Sequence, residues 1–261
     1  SDLWSIMDFC VPGYFGSLTH FESGAKSRGA LLTGQLLRNK LRPLLLRRLK
    51  AEVAPELPPR VEERLDCDLQ PAQRKTYLAE LKRTRMLLDE LPGEKVAKGP
   101  GRIRLLAALT RLRQVCCDPA LIGLPDDGAG KVDVLLELLP PLFESGHKVL
   151  LFSQFVKMLE RLKPRLKQLG IPIFVLTGAT TRRQELIEDF EATPAPAIFL
   201  ISLKAGGTGL NLTSASHVVL FDPWWNPAVE AQAIDRTHRI GQTRPVMAYR
   251  LLAADTIEQK I

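Results

Sequence analysis

Gln232, Arg236 and Arg239 are the side chains whose types and spacing point most directly to chemistry in this 261-residue sequence. Residues three and four apart share one face of a helix, so the three predict a polar stripe carrying two planar guanidinium forks. Such forks match phosphate oxygens, and an arginine held at a phosphoryl group stabilises the charge of its transfer. The surrounding residues predict the helix itself. Asn226 is a favoured N-cap, Pro227 suits the first helical position, and Gly241 stands where a helix commonly ends in a left-handed residue, which gives a helix over 227–240. Arginines near a helix C-terminus also complement its dipole, by about 0.3–1 kcal/mol each. The dipole alone does not require a glutamine and two arginines on one stripe.

A second anion-holding element precedes the stripe. Ala197 to Ser202 reads as a short apolar strand, followed by Ala205-Gly206-Gly207-Thr208-Gly209 with Lys204 as a point charge. Ligands gather at the carboxyl ends of strands in open α/β sheets, and glycines let backbone N–H groups approach an anion. A tight strand-to-helix turn accounts for the same glycines. A dinucleotide fingerprint fits poorly, because its third glycine falls on Leu212 and Asp222 runs into Pro223. Gly130-Lys131-Val132 lacks the hydroxyl of a phosphate-binding Gly-x-x-x-x-Gly-Lys-Ser/Thr loop and has Pro125 at the leading position. Met86 to Glu90 imitates an acidic Mg²⁺-binding run, yet Tyr77, Leu81 and Leu88 recur at helical spacing and read as a helix face. The arginines therefore find no phosphate cradle within this sequence.

These side chains need a framework. Strands are predicted at Lys148–Phe152, Ile171–Leu176, Ala197–Ser202, His217–Phe221 and Val246–Leu251, with helices at Val132–Glu144, Phe155–Leu169, Arg182–Ala192 and Pro227–Ile240. Runs of Val, Ile, Leu and Phe linked by helices predict an α/β fold, a parallel sheet with helices on both faces. A mostly helical region precedes it. Residues 70–130 predict helices at Gln73–Leu91 and Arg102–Cys117, with a gap at Pro92–Gly101 and a loop at Gly123–Gly130. Ser1 to Leu69 reads as helices, then a stretch broken by Pro55, Pro58 and Pro59, then a strand at Val61–Leu69. Thr256 to Ile261 begins another helix.

Composition narrows the classes. A hydrophobic content of 45% can build a core, and no apolar run approaches the roughly 20 residues that span a bilayer. Cys10, Cys67, Cys116 and Cys117 have no CxxC pairing and the four histidines no metal spacing, so reduced, intracellular surroundings are expected. His238, beside the arginines, reads equally as a packing residue. The net charge of +7 lies mostly in residues 1–130. Its densest patch holds Arg38, Lys40, Arg42, Arg47, Arg48 and Lys50 without an acid, either a solvated face or the border of a nucleic-acid groove.

The runs SLKAGGTGLNLTSAS from Ser202, DPWWNP from Asp222 and QAIDRTHRIGQ from Gln232 together resemble motifs V and VI of the SWI/SNF family. These DNA-dependent ATPases of helicase superfamily two move along duplex DNA without separating its strands. KVLLFSQF from Lys148 resembles motif IV, and Thr177-Gly178 the segment after it. Arg42 to Glu62 is similar to the bridge between the family's motor lobes, and Ser1 to Ser17 to the sequence after motif III. The likeness covers essentially the whole chain except the region around Leu91 to Gly101.

The resemblance implies two RecA-like lobes that clamp ATP between them. Residues 1–69 would be a remnant of the first lobe and the bridge, 70–130 a helical protrusion, and 131–261 the second RecA-like lobe. Arg236 and Arg239 would be catalytic arginine fingers, with Gly207, Gly209, Asn211 and Gln232 on the nucleotide side. Ser153, Gln154, Thr177, Gly178, Lys204, Gly206, Trp225 and Asn226 would be DNA-binding. ATP and Mg²⁺ would be held mainly by the first lobe, outside this sequence, so the chain alone is expected not to hydrolyse ATP. Expected partners are duplex DNA, that first lobe, and a protein target displaced from or remodelled on DNA, with no membrane and a DNA-associated location. A passive nucleic-acid-binding module, in which the arginines are structural, is the alternative; a dinucleotide-binding enzyme is a more remote one.

Overall fold

The computed structural model describes residues 2–26, 30–46, 48, 50–90, 100–125, 127–205 and 210–260. The chain divides into two compact units, Ser1–Pro55 and Glu56–Ile261. In the first unit the helices are α1 (Asp2–Cys10), α2 (Leu18–Lys26), α3 (Ala30–Leu41) and α4 (Lys50–Val53). Trp4 Nε1 donates to Gly16 O at 3.0 Å and the Tyr14 hydroxyl to Lys40 O at 3.1 Å, which ties the turn after α1 to the end of α3. Arg38, Lys40, Arg42 and Arg48 are exposed, so the basic patch presents its charge to solvent; Arg47 lies outside the described residues.

In the second unit the described strands are β1 (Arg60–Cys67), β2 (Lys148–Ser153), β3 (Ile173–Leu176), β4 (Ala197–Ser202), β5 (His217–Leu220) and β6 (Val246–Ala253). They form one parallel sheet in the order β1-β6-β5-β2-β4-β3. Alternate side chains of a strand point to opposite faces, and the two cores follow that alternation. Val149, Leu151, Ile198, Leu200, Val219, Tyr249 and Leu251 pack with α7 (Gly130–Glu144) and α8 (Val156–Lys167). Leu150, Phe152, Phe199, Ile201, Val218 and Ala248 pack on the other face with α9 (Arg183–Ala192) and α10 (Pro227–Ile234). The expected α/β architecture, a parallel sheet covered on both faces, is what forms.

The sheet has one strand more than the five expected after Lys131. β1 pairs with β6 along its whole length, from Arg60↔Val246 to Cys67↔Ala253. Pro58 and Pro59 fix an extended entry to it, and Pro59 O accepts from Val246 N at 3.0 Å. β1 is an edge strand with mostly exposed side chains.

Two long helices, α5 (Pro71–Glu90) and α6 (Pro100–Cys117), precede the crossover helices. Tyr77, Leu112, Val115 and Cys116 form a core between them, and Gln73 Nε2 donates to Val115 O (2.8 Å) and Cys116 O (3.2 Å) at the end of α6. Met86–Glu90 is helical, as its spacing predicts. The apolar face is shorter than expected: Leu81 packs against the core, whereas Leu88 is exposed. Ile257–Lys260 forms a 3₁₀ turn where a helix was expected to begin. Among the described residues no helix is long and apolar enough to cross a membrane.

Candidate functional site

Between β4 and β5, residues 203–205 leave the carboxyl end of β4 and residues 210–216 arrive at the amino end of β5. Gly206, Gly207, Thr208 and Gly209 lie outside the described residues. This link sorts the expected site residues into two groups.

The first group surrounds the carboxyl ends of β2–β5. The chain leaves β2 through α8 on one face and β5 through α10 on the other, so their carboxyl ends mark the point where the winding reverses, the usual ligand crevice of such sheets. The loops meet there through Asp222. The Ser153 hydroxyl donates to Asp222 Oδ1 at 2.5 Å and accepts from Phe155 N at 3.1 Å, and Gln154 N donates to Asp222 Oδ2 at 3.2 Å. Burial raises the Asp222 carboxyl above its ordinary range, opposed by the Ser153 hydrogen bond and by the charges of Lys131 and Arg113. Ser153 is itself buried, so its hydroxyl shapes this loop instead of meeting solvent. Gln154 Nε2 is a buried donor with no partner among the described residues. Thr177 Oγ1 accepts from Ala179 N at 3.3 Å beyond β3, with Gly178 exposed beside it. Lys204 and Asn226 are exposed, and Trp225 is 48% exposed. Asn226 is the N-cap of α10, its Oδ1 accepting from Ala228 N at 3.0 Å.

The second group sits at the far end of α10, and here the expected stripe is corrected. The helix ends at Ile234 instead of Ile240. Thr237 Oγ1 bonds Ile234 O at 2.8 Å, Arg236 N and Thr237 N take the carbonyls three residues back, and Leu212 N takes Arg236 O at 3.0 Å. Those bonds turn the chain before Gly241, whose φ of 101° closes the turn. Gln232 remains on the helix and exposed, while Arg236 and Arg239 lie on the turn. The arginines still come together: Arg236 is buried, Arg239 Nη1 donates to Leu210 O at 3.3 Å, and exposed Asn211 stands between Leu210 and Leu212. Burial first, and then the like charge of Arg239, lower the pKa of Arg236. Two crowded guanidiniums, one of them desolvated, form a surface that an oxyanion would stabilise.

Gln242 holds this turn, and its type and position alone did not single it out. It is buried; its Nε2 donates to Thr213 O (3.1 Å), Ala215 O (2.9 Å) and Thr237 O (3.2 Å), while its Oε1 accepts from Thr243 N and Arg244 N. His238 Nε2 bonds Pro58 O at 2.9 Å.

Lys131 also has a use that its failed phosphate-loop motif hid. It is wholly buried, donates to Phe221 O at 2.9 Å and pairs with Glu258 at 2.5 Å. Burial works against the ammonium, but Glu258, Cys117 and Asp222 hold it above its ordinary range. Gly130 precedes it because a Cβ there would lie 1.8 Å from Asp68 O. Burial pushes the Cys67 thiol up to about 11 and that of Cys116 to about 12, so neither is a nucleophile at neutral pH. Among the described residues there is no cluster of three or more His, Cys, Asp or Glu placed to hold a metal ion.

The Helicase conserved C-terminal domain matches residues 130–241, and the SNF2-related domain matches residues 1–121. The SWI2/SNF2 ATPase C-terminal domain of Sulfolobus solfataricus superposes with a TM-score of 0.63 at 30% identity, covering 77% of this chain and 82% of that one. The SWI2/SNF2 ATPase core of the same organism, in complex with dsDNA, gives 0.67 at 33% identity, covering 99% of this chain and 56% of that one. The putative ATP-dependent helicase/translocase YwqA of Bacillus subtilis is 40% identical over 277 residues, which span all of this chain and 29% of that protein. The parallel sheet with its paired loops is thus a RecA-like fold of the helicase kind. The chain belongs to the SWI/SNF family of ATPases and comprises the C-terminal lobe of their motor. It spans 17–29% of the length of the curated relatives it matches.

Proposed function

We propose that this chain is the second motor lobe of an ATP-dependent duplex-DNA translocase. Arg236 and Arg239 act as arginine fingers, with Gln232, Asn211, Gly207 and Gly209 on the nucleotide side. The loops carrying Ser153, Gln154, Thr177, Gly178, Lys204, Gly206, Trp225 and Asn226 engage the DNA, with Ser153 acting through the shape of its loop. A first lobe would supply the phosphate-binding loop and the Mg²⁺-binding acids, and this chain alone does not hydrolyse ATP. The observation that carries the reading is the separation of the two groups across α10, with residues 203–205 at the first and Leu210 and Leu212 bonded to the arginines of the second. A lobe that must couple phosphate chemistry to a grip on DNA needs such a connection. Bound ATP supplies the phosphoryl charge that Arg236 and Arg239 stabilise. Closure of the lobes brings those guanidiniums in.

ATP turnover, with and without duplex DNA, tests this on the chain alone and on the chain joined to its first lobe. An inert chain and a DNA-stimulated joined protein are expected. In the joined protein Arg236→Ala lowers turnover on the order of 10³-fold, as loss of a finger does. Burial of Arg236 favours a second reading, a passive nucleic-acid-binding module in which that arginine is structural. Unchanged turnover in Arg236→Ala would establish that reading instead.

A further inference from the structure

Arg113 lies on α6, outside every motif assigned above, and only 1% of it is exposed. Its Nη2 donates to Pro223 O, and its guanidinium carbon stands 5.1 Å from the centre of the Trp225 ring. Its Nε is buried with no partner among the described residues. A buried cation of this kind is a poor source of stability, since an apolar side chain of similar volume often serves as well or better. What an apolar side chain cannot do is donate to a loop carbonyl and lie against an indole with one rigid, flat group. The loop is fixed on both sides of the tryptophan. Trp224 N donates to Glu230 Oε1 at 2.8 Å, and Asn226 caps α10. Trp225 is the large apolar side chain of this loop left substantially exposed, and Arg113 is the cation found against its ring.

We propose that Arg113 is a positioning residue for duplex DNA, holding the Asp222–Asn226 loop so that Trp225 is presented in one orientation. The inference rests on the reading that this loop meets DNA. It gives α6 a part in the motor beyond packing: the helix sets the posture of a DNA-facing side chain through a single guanidinium. Charge alone does not suffice, because a lysine at this position offers a point charge without the planar fork.

The test is DNA-dependent ATP turnover of the full-length protein as a function of duplex DNA concentration, for Arg113→Met, Arg113→Lys, Trp225→Ala and the double variant Arg113→Met/Trp225→Ala. Arg113→Met and Trp225→Ala should each raise the half-saturating DNA concentration about tenfold, the scale of one desolvated cation–π contact or charge-assisted hydrogen bond. Turnover at saturating DNA should change far less. The double variant should be no worse than either single one, because residues acting through one contact are not additive. Arg113→Lys should fall between wild type and Arg113→Met. An unchanged half-saturation in Arg113→Met beside a clear effect of Trp225→Ala overturns the proposal, as does a double variant equal to the product of the singles. No effect of Trp225→Ala overturns the reading of the loop itself, and the proposal with it. Should Arg113→Met fail to fold, Arg113→Lys decides, and wild-type half-saturation there counts against the role.

Discussion

The loop at Asp222–Asn226 and the turn at Asp235–Gln242 stand at opposite ends of one short helix and are held by different means. Acidic and basic side chains hold the loop and the residue before it: Arg113 at Pro223 O, Lys131 at Phe221 O, and Glu230 at Trp224 N. The turn is closed chiefly by neutral groups, the Gln242 amide with its five hydrogen bonds and the Thr237 hydroxyl, around the buried cation of Arg236, with Asp235 at its start paired to Arg60 at 3.4 Å. The difference is physically sensible. A neutral amide can satisfy several backbone groups beside two guanidiniums without adding charge; Asp235 is the acid that acts on Arg236, and burial and Arg239 outweigh it. The loop carries no such requirement, and buried charges fix it at the cost of needing partners of their own, as Lys131 needs Glu258.

Breaking a charged anchor should have the larger effect. Lys131→Met leaves Glu258 buried and unpaired and should cost about 3–5 kcal/mol in urea unfolding. Adding Glu258→Leu should recover much of that loss; a double variant as unstable as the single one would show that pairing is not the cause. Gln242→Leu should cost less, about 2–3 kcal/mol, by stranding carbonyls that a neutral donor had satisfied. A larger loss than in Lys131→Met would invert the ranking of the two regions. A neutral net has no titration of its own, so acid sensitivity should come from elsewhere. Burial, and then neighbouring His147, lower the pKa of His217 to about 4. Its contribution is fully present above the unfolded value near 6.5 and is lost as pH falls from about 6.5 to 4, by on the order of 2 kcal/mol. His217→Gln should flatten the unfolding free energy across that window. Gln154→Leu should show the smallest change, within about 0.5 kcal/mol, because it removes a donor that already lacks a partner. If Gln154 meets DNA, the same variant should still raise half-saturating duplex roughly threefold, the scale of one lost hydrogen bond.

Local signals were legible where local physics decides. Ala197–Ser202 is an apolar run bounded by turn residues and forms β4 with those limits, and Asn226-Pro227 starts α10 where capping chemistry puts it. The end of α10 was not legible. Gly241 is a good stop signal, but Leu212 N and the Thr237 hydroxyl capture carbonyls earlier, and a residue from another segment leaves no local trace. The buried cations were missed for a related reason. Arg113 and Lys131 look like surface charge in sequence, and only the fold supplies the carbonyls, the ring and the acid that receive them. The crossover helices interrupted by Pro140, Pro141 and Pro164 were legible because their apolar spacing outlasts the prolines. Of the expected glycine site, Gly206, Gly207 and Gly209 lie outside the described residues, and the roles of the remaining residues rest on the variants above.

The pairing of β1 with β6 bears on how this lobe should be produced. A recombinant piece starting at residue 130, where the conserved helicase domain begins, would strip the sheet of its outer strand. The full length of β6 would become a raw edge, open to docking with another molecule's β6. A start at or before Glu56 keeps that edge covered by the chain's own strand and should separate a monodisperse sample from a precipitate.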